Sequence, residues 1–208
     1  QLIAELCPDG VEFKELGGVV DYEQPTKYIV GGTTYDYKFQ TPVLTAGQSF
    51  ILGYTDEVNG TYKASKINPV IIFDDFTTSF HWVNFHFKVK SSAMKILTPN
   101  LGSGIEFRYI YYAMKCINYE PQTHSRQWIS VYSKFPIPIP PLPIQQEIVK
   151  ILDTFTDLDA ELQAELEARK KQYEHYRNQL LNFEGKEVKW NMIKDLYDFK
   201  NGLNKGKD

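Results

Sequence analysis

Three short clusters of hydrogen-bonding side chains hold most of the chemistry in this chain: Thr33-Thr34-Tyr35, Thr77-Thr78-Ser79 and His124-Ser125-Arg126-Gln127. Lys27, Lys38, Lys63 and Lys66 lie among or near them. Hydroxyls and amides donate and accept, and a guanidinium presents a planar fork of donors. Such a set suits base edges and phosphate oxygens. The candidate nucleic-acid contacts are therefore Lys27, Thr33, Tyr35, Lys38, Lys63, Lys66, Thr77, Thr78, Ser79, His124, Arg126 and Gln127. The net charge is only −3. A nucleic acid would thus be met by a local patch rather than by a basic domain.

Catalytic chemistry is harder to assemble. Gly31-Gly32 and Gly102-Ser103-Gly104 lack the spacing of a dinucleotide or P-loop fingerprint. His81 and His86 stand at odd spacing in one strand-like run, so they point to opposite faces and do not share a metal. Asp74-Asp75 with Lys88 is loosely nuclease-like, but His86-Phe87-Lys88 puts no acidic residue beside the lysine. No Ser–His–Asp set has motif support. Cys7 and Cys116 are far apart and outside metal-ligand spacing, as expected of reduced thiols in a cytosolic protein. No apolar run approaches membrane-spanning length. The chain opens at Gln1 without a Met, which points to a trimmed or processed product.

The elements that must position these clusters read as α+β. Aromatics at 14% suit strands. Val11-Glu12-Phe13, Pro42 to Thr45, Ser49 to Leu52, Pro69 to Phe73 and Trp82 to Val89 alternate or run as β-branched and aromatic residues between turn signals. Gly104 to Ile117 carries Phe107, Ile110, Tyr111, Met114 and Ile117 at helical spacing. A curved sheet or barrel is expected over residues 1–141. Phe135 to Pro143 alternates prolines, which forbids a central strand and favours an extended edge or connector.

From Ile144 to Leu181 there is neither Gly nor Pro. Those 38 residues make a rod of about 57 Å. Ile148, Ile151, Phe155, Leu158 and Leu162 share one face; the rhythm slips at Leu166 and resumes at Tyr173, Tyr176 and Leu180. So long a stripe needs a second helix. The expected pairing residues are Ile148, Ile151, Phe155, Leu158, Leu162, Leu166, Tyr173 and Leu180. Beyond the rod, Val188 to Phe199 can be laid on Val11 to Tyr22 at an offset of 177 residues, an internal repeat. The expected division is 1–141 head, 142–183 long spacer helix, and 184–208 the truncated start of a second head.

The motifs identify a family. Cys7-Pro8-Asp9-Gly10-Val11-Glu12-Phe13-Lys14-Glu15-Leu16-Gly17, Pro42 to Gly47 with Gly53-Tyr54-Thr55, Val70 to Thr77, and above all Ile137 to Asp153 resemble the specificity (S) subunit of type I DNA restriction-modification systems. The resemblance implies a β-rich target recognition domain followed by an antiparallel coiled-coil arm. Full-length members carry two such domains, each reading one half of a split double-stranded DNA site, with two helices as the ruler between them. It implies no catalysis by this chain. S-adenosylmethionine is bound by partner modification subunits, which methylate adenine; restriction subunits join them; the location is cytoplasmic. One head and one rod imply a half-subunit that self-associates through the rod. The alternatives are a DNA methyltransferase or nuclease fragment with its own recognition domain, and a coiled-coil scaffold with a globular head and no DNA role. Such an enzyme needs a cofactor loop and an Asn/Asp-Pro-Pro-aromatic motif, and neither is found in the sequence.

Overall fold

Four consecutive buried residues, Val70 to Phe73, mark the centre of the protein. In the computed structural model, which describes residues 5–47, 49–100 and 102–198, they lie in strand β5 (Val70–Asp74). A strand exposed on one side alternates; a run buried at every position means that both faces of the sheet are covered. Ile71 and Phe73 face one core, with Leu16, Leu97, Ile110, Trp128 and Tyr132. Val70 and Ile72 face a second core, with Leu44, Val83, Phe87, Val89 and Ile96. Each such side chain contributes about 1.5–3 kcal/mol when fully buried.

Around β5 the other elements are β1 (Glu12–Glu15), β2 (Val20–Glu23), β3 (Thr41–Leu44), β4 (Ile51–Thr55), β6 (Phe80–Val83), β7 (Lys88–Val89), β8 (Met94–Pro99) and β9 (Pro136–Ile139). Helix α1 spans Phe107–Lys115, α2 Leu142–Leu180 and α3 Ile193–Leu196. A four-stranded sheet has the order β2-β8-β5-β6, a three-stranded sheet β4-β3-β7, and β1 pairs with β9. The four-stranded sheet and the β1–β9 pair are antiparallel, whereas β3 and β7 are parallel. The family resemblance and the strand patterns both anticipate this β-rich α+β head followed by a long helix. Strand β8 lies between β2 and β5 and is absent from the sequence-based strands. Its sequence, Met94-Lys95-Ile96-Leu97, interrupts an apolar run with a lysine. The expected strand over 82–89 is two pieces, β6 and β7, because residues 84–86 pair with no strand and Phe87 forms only an isolated bridge with Tyr62.

The proline-rich segment is an edge strand. Pro138 stands opposite Phe13 and Pro136 opposite Glu15 in a two-stranded ladder. Proline lacks an N–H, so it fits only where one side of the strand needs no donor. Helix α2 begins at Leu142, with Pro143 in its first turn where proline is tolerated.

The chain divides into two compact units, Gln1–Phe155 and Thr156–Asp208. The expected boundary near 141 therefore falls short of the first unit's end at Phe155, because the first turns of α2 belong to the head. Ile144 is buried. The buried Gln145 accepts the Glu106 N–H at 2.9 Å and donates to the Pro140 carbonyl at 2.7 Å. Asp153 accepts Arg108 Nε at 2.7 Å, and the Arg108 guanidinium lies 4.7–4.9 Å from the ring centroids of Trp82, Tyr111 and Tyr112. In the second unit, from Thr156 through Leu180, no described residue of α2 is buried. Along the aligned segments Leu16–Gly18 is a 3-10 turn and Ile193–Leu196, aligned with Leu16 to Val19, is the short α3, while Lys189 to Met192, aligned with β1, form no strand. Phe199, the last residue of that alignment, and the tail to Asp208 lie outside the described residues.

Candidate nucleic-acid interface

The turn between β5 and β6 is built by its own side chains. Asp74 Oδ1 accepts the N–H groups of Phe76 (2.8 Å) and Thr77 (2.9 Å), a turn that aspartate favours because its short carboxylate reaches two residues along. Thr78 then takes φ +60. A β-branched residue there is strained, and the hairpin geometry around it imposes the conformation. Thr77 Oγ1 and Ser79 Oγ lie 2.7 Å apart, and Ser79 Oγ donates to the Ala46 carbonyl, joining this turn to the β3–β4 loop. His81 Nε2 is 3.1 Å from the Gly47 carbonyl, and its ring stacks on Phe50 at 4.6 Å.

A third segment, residues 123–128, lies against the same turn. Gln127 N–H donates to the Asp75 carbonyl (2.8 Å), and Trp128 N–H donates to Asp75 Oδ1 (2.8 Å). His124 stacks on Phe76 at 4.7 Å. Asp75 Oδ2 is 3.0 Å from Lys95 Nζ and 3.6 Å from Arg126 Nη1. Residues far apart in sequence thus form one surface carrying Thr77, Ser79, His124 and Arg126.

Two sequence candidates are buried, with their polar atoms engaged inside the protein. Gln127 is buried at 2% exposure. Its amide donates to Ser125 O (2.7 Å) and its Oε1 accepts Tyr119 OH (2.8 Å), so it shapes the loop from within. Thr78 is buried at 8%, and its hydroxyl donates to the Thr77 carbonyl. Both were chosen for residue type, and neighbours that only folding supplies have consumed their polar atoms.

The remaining candidates lie elsewhere on the head. Lys38 and Lys63 line an open groove of about 390 Å³ with Thr41, Thr55, Thr61 and His86. Tyr35 lies over Gly53, where a Cβ would come within 2.7 Å of the tyrosine Cβ, and its hydroxyl accepts Lys90 Nζ at 3.1 Å. Lys90 is a surface cation that sequence reasoning missed; only the pairing with Tyr35 singles it out. Lys27 pairs with Glu23 at 3.4 Å. Thr33 and Lys66 are exposed. Near Thr33, Glu57 accepts the N–H groups of Gly31 (3.0 Å) and Gly32 (2.7 Å) and pairs with the buried Lys88 at 3.0 Å. Those backbone donors first, and then the lysine, hold the Glu57 carboxyl down at about 2.

The nuclease-like grouping of Asp74, Asp75 and Lys88 does not assemble. Lys88 pairs with Glu57 and Asp75 with Lys95. Among the described residues no group of His, Cys, Asp or Glu is arranged to hold a metal ion, and no helix is long and apolar enough to cross a membrane.

On α2 the expected pairing residues Ile151, Phe155, Leu158, Leu162, Leu166, Tyr173 and Leu180 are exposed by 47–74%, while Ile148 is partly buried. The protein is thus a β-rich head whose loops gather polar side chains, continued by a long helix whose apolar stripe is exposed. Residues 8–168 match the family described as type I restriction modification DNA specificity domain, and the chain belongs to that family.

The chain is 52% identical over 199 residues to the type I restriction enzyme EcoR124I/EcoR124II specificity subunit of Escherichia coli, covering 90% of this chain and 49% of that protein. It thus spans about half the length of that relative. A crystal structure of a type I restriction-modification system S subunit from M. genitalium superposes with a TM-score of 0.62 at 14% identity, over 83% of this chain and 46% of that one. A chain from a structural study of complex assembly and conformational transition of the type I system gives 0.51 at 19% identity, over 80% and 44%. At these identities the structural likeness speaks to fold.

Proposed function

We propose that this chain reads one half of a bipartite double-stranded DNA site and presents it to modification subunits, performing no catalysis itself. The observation that carries this reading is the convergence of Thr77, Ser79, His124 and Arg126 on one loop surface, anchored to the central sheet through Asp75 and Lys95. Lys38, Lys63 and Lys90 supply further cations on the head for backbone phosphates. S-adenosylmethionine belongs to the modification subunit, and restriction subunits complete the assembly in the cytoplasm. Residues 142–183 act as the spacer arm.

The exposed stripe from Ile151 to Leu180 supports pairing of two copies through α2, antiparallel, so that the half-sites are inverted copies of each other. Mapping methylated adenines in DNA modified by this chain with its modification subunit tests the whole reading. An inverted, gapped site is expected. An ungapped site, or methylation with no common sequence, counts against it.

A further inference from the structure

We propose that Asp75 and Lys95 form a charge-matched buttress that holds the Arg126 guanidinium at the loop surface, where it reads a guanine. The inference rests on the DNA-reading role above and assigns a positioning function to two residues that cannot themselves reach a ligand. Asp75 and Lys95 are each 1% exposed, while the Arg126 side chain is half exposed.

The buried carboxylate is satisfied from inside the protein. Trp128 N–H takes Oδ1 at 2.8 Å and Lys95 Nζ takes Oδ2 at 3.0 Å. Arg126 is the third donor group and the most distant, at 3.6 Å. That separation gives attraction without a hydrogen bond. One carboxylate faces two cations. Lys95 balances it, so the charge of Arg126 remains available outward. The guanidinium is also flanked, 6.0 Å from the centroid of Phe76, whose other neighbour is the stacked ring of His124. A phosphate needs only a positive charge, which a free lysine supplies. A planar fork held from behind and from the side matches the paired O6 and N7 acceptors of guanine.

The probe is a pool of randomised duplexes, selected by the chain in complex with its modification subunit and sequenced. The wild type is expected to select a motif with one dominant guanine. Arg126→Lys keeps the charge and loses the fork; Asp75→Asn keeps the fork and loses the buttress. Each should reduce the preference for that guanine roughly tenfold or more while the other positions stand. Binding of the Asp75→Asn chain to a scrambled duplex should be unchanged or stronger, because a negative charge near phosphates is gone.

A merely structural Asp75 would instead weaken every position and the scrambled duplex together. That result, or a retained guanine in either variant, overturns the proposal. Should Asp75→Asn fail to fold, ¹⁵N relaxation at Arg126 Nε in the free wild-type chain decides the matter. Restricted motion is expected, and fast free rotation overturns the buttress. A wild-type chain that selects no motif refutes the DNA-reading role itself, a result distinct from a motif that survives Asp75→Asn.

Discussion

Leu16, Ile71 and Leu97 in the head are fully buried, whereas Leu158, Leu162 and Leu166 on α2 are exposed by 47–55%. The two regions hold the same kind of side chain with opposite fates. The head closes its apolar surface with its own chain and leaves no buried polar side-chain atom without a partner among the described residues. The arm's side-chain contacts, such as Arg169–Glu165 at 3.3 Å, run along the helix itself, and its apolar stripe stays exposed. The repeat makes the same point at finer scale. Leu16 is fully buried in the core that holds Ile71 and Leu97, but its counterpart Ile193 is 66% exposed. Similar patterns give similar local turns, and burial depends on what lies opposite.

The largest break in this comparison should come from the head's interior. Lys95→Met strands the Asp75 carboxylate in the core and is expected to cost about 3–5 kcal/mol in urea unfolding; a loss under about 1 kcal/mol would show that the pair is not sealed. Next comes the arm. Leu158→Asp or Leu162→Asp should weaken self-association by roughly 2 kcal/mol or more, since an unpaired charge would be forced into the helix pair. The head's unfolding midpoint should stay put. If both variants associate with wild-type affinity in light scattering, the interface is elsewhere.

Arg126→Ala probes the head's outer surface and should cost about 1–3 kcal/mol of specific DNA binding. Unchanged affinity and site preference in titrations would remove Arg126 from the interface.

A smaller effect is expected at Glu57, whose carboxyl is lowered from 4.5 to about 2. A depressed folded-state value means that its stabilisation is fully present above about pH 4.5 and is lost as pH falls toward 2. Wild type should therefore exceed Glu57→Gln in stability at pH 6, with the gap closing on acidification; a gap constant down to pH 2 contradicts the clamp by Gly31, Gly32 and Lys88. Smallest is Thr78→Asn, which should stabilise by at most about 1 kcal/mol by relieving a left-handed threonine. A clear loss in Tm would mean that the Thr78 side chain matters more than its backbone strain.

Much of the fold was legible because it is local. A helix without Gly or Pro, prolines that exclude a central ladder, and an unbroken apolar run in β5 each follow from a few adjacent residues. Strand β8 was hidden because Lys95 breaks its pattern, and the reason for that lysine, Asp75, lies twenty residues away in sequence.

The candidate interface was legible as loops rich in donors but not as a site. Residue type selected Gln127 along with Arg126, adjacent in sequence; the structure buries the first and exposes half of the second. The sequence by itself determined the kind of fold, a β-rich head on a long helix, since periodicity and backbone restriction act over a few residues. Only the tertiary structure decided which polar atoms remain free for a partner. Hydrogen bonds and ion pairs such as Tyr35–Lys90, Glu57–Lys88 and Asp75–Lys95 form between distant segments, and each removes or frees a donor that local sequence cannot see.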